Sequence, residues 1–243
     1  MMKLKRIITN LIFVASLCCL MGCNKSRNGL SMVKIPGTNF EMLQTEVTQE
    51  LYEPIMGENP SEFRGKNYPV TVSWYDAIYF CNKLSLAKGY EPVYSVNGNT
   101  DITKWDYTPH QENSIEGEIT QNTSANGYRL PTVKEWQYAA KGGQDYTYAG
   151  SNEIDEVAWY DGNSNDEPHS VAQKKANGYG LYDMSGNVCE WCWDSYYDYA
   201  RYHCGGGWSY YSAVSDFEVG SSDCYSAYYQ YNNVGFRIIR SVK

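Results

Sequence analysis

The sequence predicts a single α+β domain of short strands, few helices and much irregular structure. Three observations point there. Two capping boxes mark helices in a chain otherwise punctuated by Gly, Asn and Pro. The 21 Gly and 24 Tyr suit a loop-rich, aromatic protein rather than a helical one. Apolar residues make up 42% of 243 positions, enough for a core, and no internal repeat or linker-like tract follows residue 30.

The N-terminus reads as a targeting segment. Lys3, Lys5 and Arg6 form a basic region, followed by the apolar run "IITNLIFVASLCCLMG", which is short for a membrane span. It closes on Leu20-Met21-Gly22-Cys23, which resembles the bacterial lipobox. The expectation is a signal peptide over 1–22, lipidation at Cys23 and a polar tether over 23–30. Asn24 is not the aspartate that, in the enteric rule, holds lipoproteins at the inner membrane. A lipid-anchored place at the outer membrane or cell surface follows.

A short helix is expected over Gln49–Met56. Ser73-Trp74-Tyr75-Asp76 caps a second, with Ala77, Ile78, Cys81 and Leu84 inward and Gly89 as its stop. Thr132-Val133-Lys134-Glu135 caps a third, with Trp136, Ala139 and Ala140 inward and Gly142-Gly143 ending it. "NVCEWCW" reads as a strand, so Cys189 and Cys192 point to opposite faces, and with no second pair or histidine cluster following, the spacing argues against a zinc site. "GFRIIR" at 235–240 reads as a closing strand. Once Cys23 carries lipid, Cys81, Cys189, Cys192, Cys204 and Cys224 remain, an odd number for a disulfide framework. Structural burial is one reading of them; a single bridge, Cys204 with Cys224, is the other. A net charge of −8 without basic clusters argues against a nucleic-acid partner.

Five segments, "TEVTQELYEPIMGENPS", "YPVTVSWYDAIYFCNKLS", "GYRLPTVKEWQYAAKGG", "NGYGLYDMSGNVCEWCWD" and "GFRIIR", resemble the formylglycine-generating enzyme (sulfatase-modifying factor) family, in that family's order. The resemblance implies a C-type lectin-like fold of that type over 31–243. It does not imply the activity. The family's oxidases bind copper through two cysteines five positions apart before the "GFR" strand. Here Val219 lies five before Cys224 and Tyr229 five after, so the linear two-thiolate site is lacking. Iron-dependent relatives use clustered histidines, whereas His110, His169 and His203 stand apart. No catalytic residue is expected and no cofactor is required. The competing expectation is an oxidoreductase, or a metal-dependent oxidase, acting on an envelope substrate. The family's calcium turn maps onto Asn187 and Glu190, as a structural metal site. Equally, Asn187 caps a turn and Glu190 pairs with Arg129 or Arg237.

The segment from 209 to 233 contains no Lys, Arg, Leu, Ile, Met, Pro or Thr. That composition resembles the variable proteins of diversity-generating retroelements, which share this scaffold. There, adenine replacement in AAC or AAT codons yields Asn, Ser, Tyr, Asp, Ala, Val, Phe, Gly, Cys, His and a few others, never Lys, Glu, Gln, Met or Trp. Only Glu218 and Gln230 lie outside that set. The resemblance implies a variable region over about 202–233 and a monomeric protein that binds varied protein or other surface ligands. Its ligand residues would be His203, Ser209, Tyr210, Tyr211, Asp216, Phe217, Ser222, Asp223, Tyr228, Tyr229, Tyr231 and Asn232. Tyrosine suits the purpose, because it covers much area at the cost of two torsions. An ordinary tyrosine-rich loop is the alternative. The variable reading requires the tail's polar and aromatic residues to face water in one patch, with Trp208, Phe236 and Ile238 buried beneath, since random changes in a core aromatic cost about 3–5 kcal/mol.

Overall fold

The computed structural model describes residues 30–209 and 212–242. The expected signal peptide, Cys23, the tether up to residue 29, and Tyr210 and Tyr211 lie outside the described residues.

Both capping boxes form the helix starts they encode. Thr48 accepts from the Leu51 amide to open α1 (Gln49–Met56), and Gly57 closes it at φ 91°. Ser73 accepts from the Asp76 amide at the start of α2 (Trp74–Ala87). Thr132 and Glu135 exchange bonds at the start of α3 (Val133–Lys141), which ends at Gly142. A single turn, α4 (Ile154–Val157), follows. In α2 the buried residues surround the axis rather than forming one stripe, and they include Asn82, whose side chain bonds both backbone groups of Tyr94.

Ten strands among the described residues complete the C-type lectin-like fold. β1 (Met32–Lys34), β2 (Phe40–Leu43), β5 (Tyr128–Arg129) and β10 (Ile239–Ser241) form one sheet in the order β1-β2-β10-β5. The C-terminal strand is therefore central, between β2 and β5. β3 (Tyr94–Val96) and β4 (Ile119–Gln121) make a separate ribbon. The third sheet runs β8-β7-β6-β9, from β6 (Cys189–Tyr197), β7 (Ala200–Cys204), β8 (Asp223–Ser226) and β9 (Val234–Gly235). β9 lies parallel to β6 and so close to a neighbouring segment that a Cβ on Gly235 would sit 2.5 Å from the Val70 carbonyl oxygen.

The main core gathers Trp74, Phe80, Trp191, Phe236 and Ile238 against α2. A second core holds Met42, Trp136, Cys192, Cys204 and Ile239. Cys189 belongs to the first and Cys192 to the second, the opposed orientation that a strand requires.

Between the cores lies a buried ion pair. Arg237 Nη2 donates to Glu190 Oε1 at 2.7 Å and Nε to Oε2 at 3.0 Å, with both side chains fully shielded. The remaining guanidinium donors reach the Leu43 carbonyl at 3.0 Å and the Tyr182 carbonyl at 2.8 Å. Trp136 Nε1 donates to Glu190 Oε2 at 2.7 Å. One arginine thereby joins β2, β6, α3 and the approach to β10.

Candidate functional site

The turn from Asp183 to Glu190 enters the core at a close approach. Gly186 sits at φ 86°, where a Cβ would meet the Trp159 carbonyl at 2.5 Å, and Asn187 follows at φ 64°. Asn187 Oδ1 accepts from the His169 amide at 2.9 Å, and its Nδ2 donates to Glu46 Oε2 at 2.9 Å. Glu46 Oε1 accepts from the Val188 amide at 3.1 Å. With both Glu190 oxygens held by Arg237 and Trp136, Asn187 and Glu190 do not fit the expected calcium. A cation there would also abut the guanidinium, and calcium needs six to eight free oxygens. Glu190 pairs with Arg237, not Arg129, which instead forms a two-bond pair with Glu135 at 2.7 Å.

Glu46 and Asp183 add carboxyls beside that pair. Burial, then the charges of Asp183 and Glu190, push Glu46 well above the usual carboxylate range. Burial raises Asp183 to about 6. Its Oδ1 has no partner among the described residues, while Oδ2 accepts from the Ala172 amide at 2.7 Å. These groups tie the Asp183–Glu190 turn to the framework.

The cysteine and histidine side chains that the oxidase readings would need stand apart. Cys224 is half-buried, and burial followed by the nearby Asp223 raises its thiol, the reverse of an activated thiolate. His110 bonds Tyr52 Oη at 3.0 Å, His169 stacks on Trp159 at 3.8 Å, and His203 lies under Tyr225. Among the described residues no three His, Cys, Asp or Glu side chains gather around a metal position.

The tail divides into pinned and displayed parts. Trp208 is buried: its amide donates to the Asn187 carbonyl at 2.7 Å, and its ring meets Phe63 edge-on. Phe236 and Ile238 are fully buried, as framework positions require. Ser222, Asp223, Tyr229 and Asn232 are exposed, while Asp216, Tyr228 and Tyr231 are half-buried. Tyr229 touches Tyr228 at 4.5 Å and Tyr231 at 5.9 Å, and Tyr231 stacks on Tyr225 at 4.5 Å. These rings form one cluster. Asp223 and Tyr225 stand two apart on the edge strand β8, on the side of the sheet that His203 faces.

Three expected ligand residues are buried instead. His203 lies on β7, an inner strand, between the Trp191 and Tyr225 rings. Ser209 is closed off because its hydroxyl accepts from Asn233 Nδ2 at 3.1 Å. Phe217 turns inward on the 3₁₀ helix Val214–Phe217 and fills a small core with Val157 and Ala158, the place a large apolar ring takes when one is within reach. These three are scaffold, not surface.

A second aromatic surface lies outside the residues expected from the sequence. Tyr196, Tyr197 and Tyr199 at the β6–β7 hairpin are 47%, 57% and 63% exposed and touch one another. They line a recess of about 460 Å³ with Ser195 and Asp198. The run "SYYDYARY" was the available signal: too many large aromatic rings in a short hairpin for all of them to be buried.

Comparison with known proteins fits this arrangement. The sulfatase-modifying factor enzyme 1-like domain matches residues 5–242. A chain called chaperone protein LppX, from Paenibacillus barcinonensis, is 38% identical, over 89% of this chain and 85% of its own length. The solved structure of Treponema denticola variable protein 1 is 33% identical with a TM-score of 0.76, covering 87% of this chain and 92% of that one. A structure called CarF is 30% identical with a TM-score of 0.68, over 84% and 87% of the two chains.

Burial of His203 has a measurable consequence. Desolvation lowers its imidazole from the ordinary 6.5 to about 4, partly offset by Asp223. A depressed value stabilises the fold fully above pH 6.5 and is lost as pH falls toward 4. Asp183 works the other way, taking up a proton below about 6. Replacing His203 isolates its share. Between pH 7 and 4, His203→Gln should lose about 3 kcal/mol less stability than wild type in urea titrations. Parallel pH profiles for the two proteins would refute the assignment.

Proposed function

The chain belongs to the sulfatase-modifying factor enzyme 1-like family, and we propose that it is a non-catalytic, ligand-binding member. In this reading it is lipid-anchored at the outer membrane or cell surface through Cys23, monomeric, and diversified in its C-terminal segment. The observation that carries the proposal is the division within 209–233. Ser209 and Phe217 are locked inward, while Ser222, Asp223, Tyr229 and Asn232 stand in solvent at the start of β8 and in the segment after it. Such a surface tolerates change, because exposed positions typically shift stability by within about ±0.5 kcal/mol. Its chemistry suits recognition: tyrosine rings supply rigid contact area, and Ser, Asp and Asn supply adaptable hydrogen bonds. Likeness to Treponema denticola variable protein 1 supports the variable reading.

A second reading follows from the Paenibacillus relative, whose name calls it a chaperone. A chaperone would use the same aromatic face for a fixed client, so the two readings differ in variation rather than in chemistry. DNA beside the gene separates them. Under the variable reading it carries a near-copy of the 3′ segment and a reverse-transcriptase gene, with mismatches at adenines of the copy. A unique 3′ end favours the fixed partner.

The oxidoreductase alternative requires a second soft ligand beside Cys224. Incubated with copper and a sulfatase-derived peptide containing cysteine, the purified protein should leave that cysteine intact by mass spectrometry. Conversion above the enzyme-free control would restore the oxidase reading.

Anchoring is tested at Cys23. Cys23→Ser should shift the protein from the membrane fraction to the soluble fraction or leave an uncleaved precursor. Unchanged mass and membrane partition in that variant would remove the lipid anchor.

A further inference from the structure

Cys192 on β6 and Cys204 on β7 bring their sulfur atoms to 3.8 Å, with the side chains 0% and 1% exposed. The strands pair antiparallel with Glu190 opposite Cys204 and Trp191 opposite His203. Cys192 and Cys204 therefore share a face on a diagonal across the pair, and both belong to the second core. Cys189 faces the other core, and Cys224 pairs in register with Tyr202 on the outer side of β7. The sulfur beside Cys204 is thus that of Cys192 and not that of Cys224, the partner in the single-bridge alternative.

We propose that Cys192 and Cys204 form a cross-strand disulfide when the chain folds in the presence of a disulfide-bearing oxidant. One cysteine thiolate attacks the oxidant's sulfur, giving a mixed disulfide and releasing one thiol. The second cysteine then attacks the protein-bound sulfur and releases the other thiol. Two protein thiols lose two protons and two electrons, and the oxidant's disulfide is reduced to two thiols.

Closure requires the sulfurs to approach from 3.8 Å to about 2.05 Å, and the β-bulge between Trp191 and Ser195 leaves that strand a place to adjust. Burial, then contact with Cys204, pushes the Cys192 thiol well above its ordinary value, and the thiolate is the reactive form. Exchange in the folded protein is correspondingly slow, so the bond closes while the hairpin is still open to solvent. Once closed, it ties the arm bearing Tyr196, Tyr197 and Tyr199 to the sheet. This inference does not depend on the binding reading.

The full chain, unfolded and reduced, is refolded in mixed reduced and oxidised glutathione, then alkylated under denaturing conditions and digested. The expected product has two fewer alkylated thiols than the reduced control and a peptide pair linked through Cys192 and Cys204. Its Tm should exceed that of the reduced protein by about 5–10 °C. Cys224→Ser should keep the link and the Tm gain; Cys192→Ala should lose both. If Cys192→Ala fails to fold, the wild-type peptide map decides. A map joining Cys204 to Cys224, or complete alkylation of every thiol after oxidative refolding, overturns the proposal.

Discussion

The fold turns on one buried cation. Arg237 sits where β2, β6, α3 and the C-terminal strand converge, and its guanidinium is saturated by Glu190 and the carbonyls of Leu43 and Tyr182. Geometry of this quality is what makes a shielded ion pair tolerable, because each ion has given up several kcal/mol of hydration. Losing one partner from such a pair costs about 3–5 kcal/mol, since the other charge stays buried alone. Three carboxyls, Glu46, Asp183 and Glu190, face this single arginine. Burial above all explains why Glu46 and Asp183 hold their protons more tightly than free carboxyls do, with the neighbouring carboxylates adding to it at Glu46.

That constraint organises the surface as well. Glu46 grips Asn187, Asn187 receives the Trp208 amide, and Trp208 Nε1 reaches the Asn232 carbonyl at 3.3 Å. The tail is thus fastened to the framework at its beginning and near its end. Further anchors come from Gln230 to the Pro60 carbonyl and from Val219 to the Thr147 carbonyl. A segment held mainly by backbone and by a few inward side chains can exchange its outward side chains with little effect on stability. Scaffolds that display functional loops share this property.

The side chains also depart from the pattern of the family's copper oxidases. An oxidase of this fold needs two thiolates converging on a metal, whereas Cys224 stands on an edge strand with its thiol raised and no second sulfur at the family spacing. Cys81, Cys189 and Cys192 lie in the cores, where burial favours the neutral thiol. The scaffold is common to both uses, and the side chains on it differ.

Local signals were legible in the sequence because their physics is local. The capping residues Ser73 and Thr132 satisfy amides within three residues of themselves, so the two helices they open begin as their motifs dictate. Strand alternation likewise set Cys189 and Cys192 on opposite faces. Composition singled out the tail, and the five ordered segments identified the family. Exposure within the tail was not legible. Phe217 and Tyr229 come from the same restricted alphabet, yet one fills a core with Val157 and the other stands in solvent. Nor could spacing choose Arg237 over Arg129 for Glu190, or Cys192 over Cys224 as the neighbour of Cys204. Each of those choices depends on which segments meet after long excursions of the chain. The sequence determined the elements, the family and the unusual tail; tertiary packing alone decided which tail residues face outward, because burial belongs to the meeting of distant strands and not to a residue's own letter.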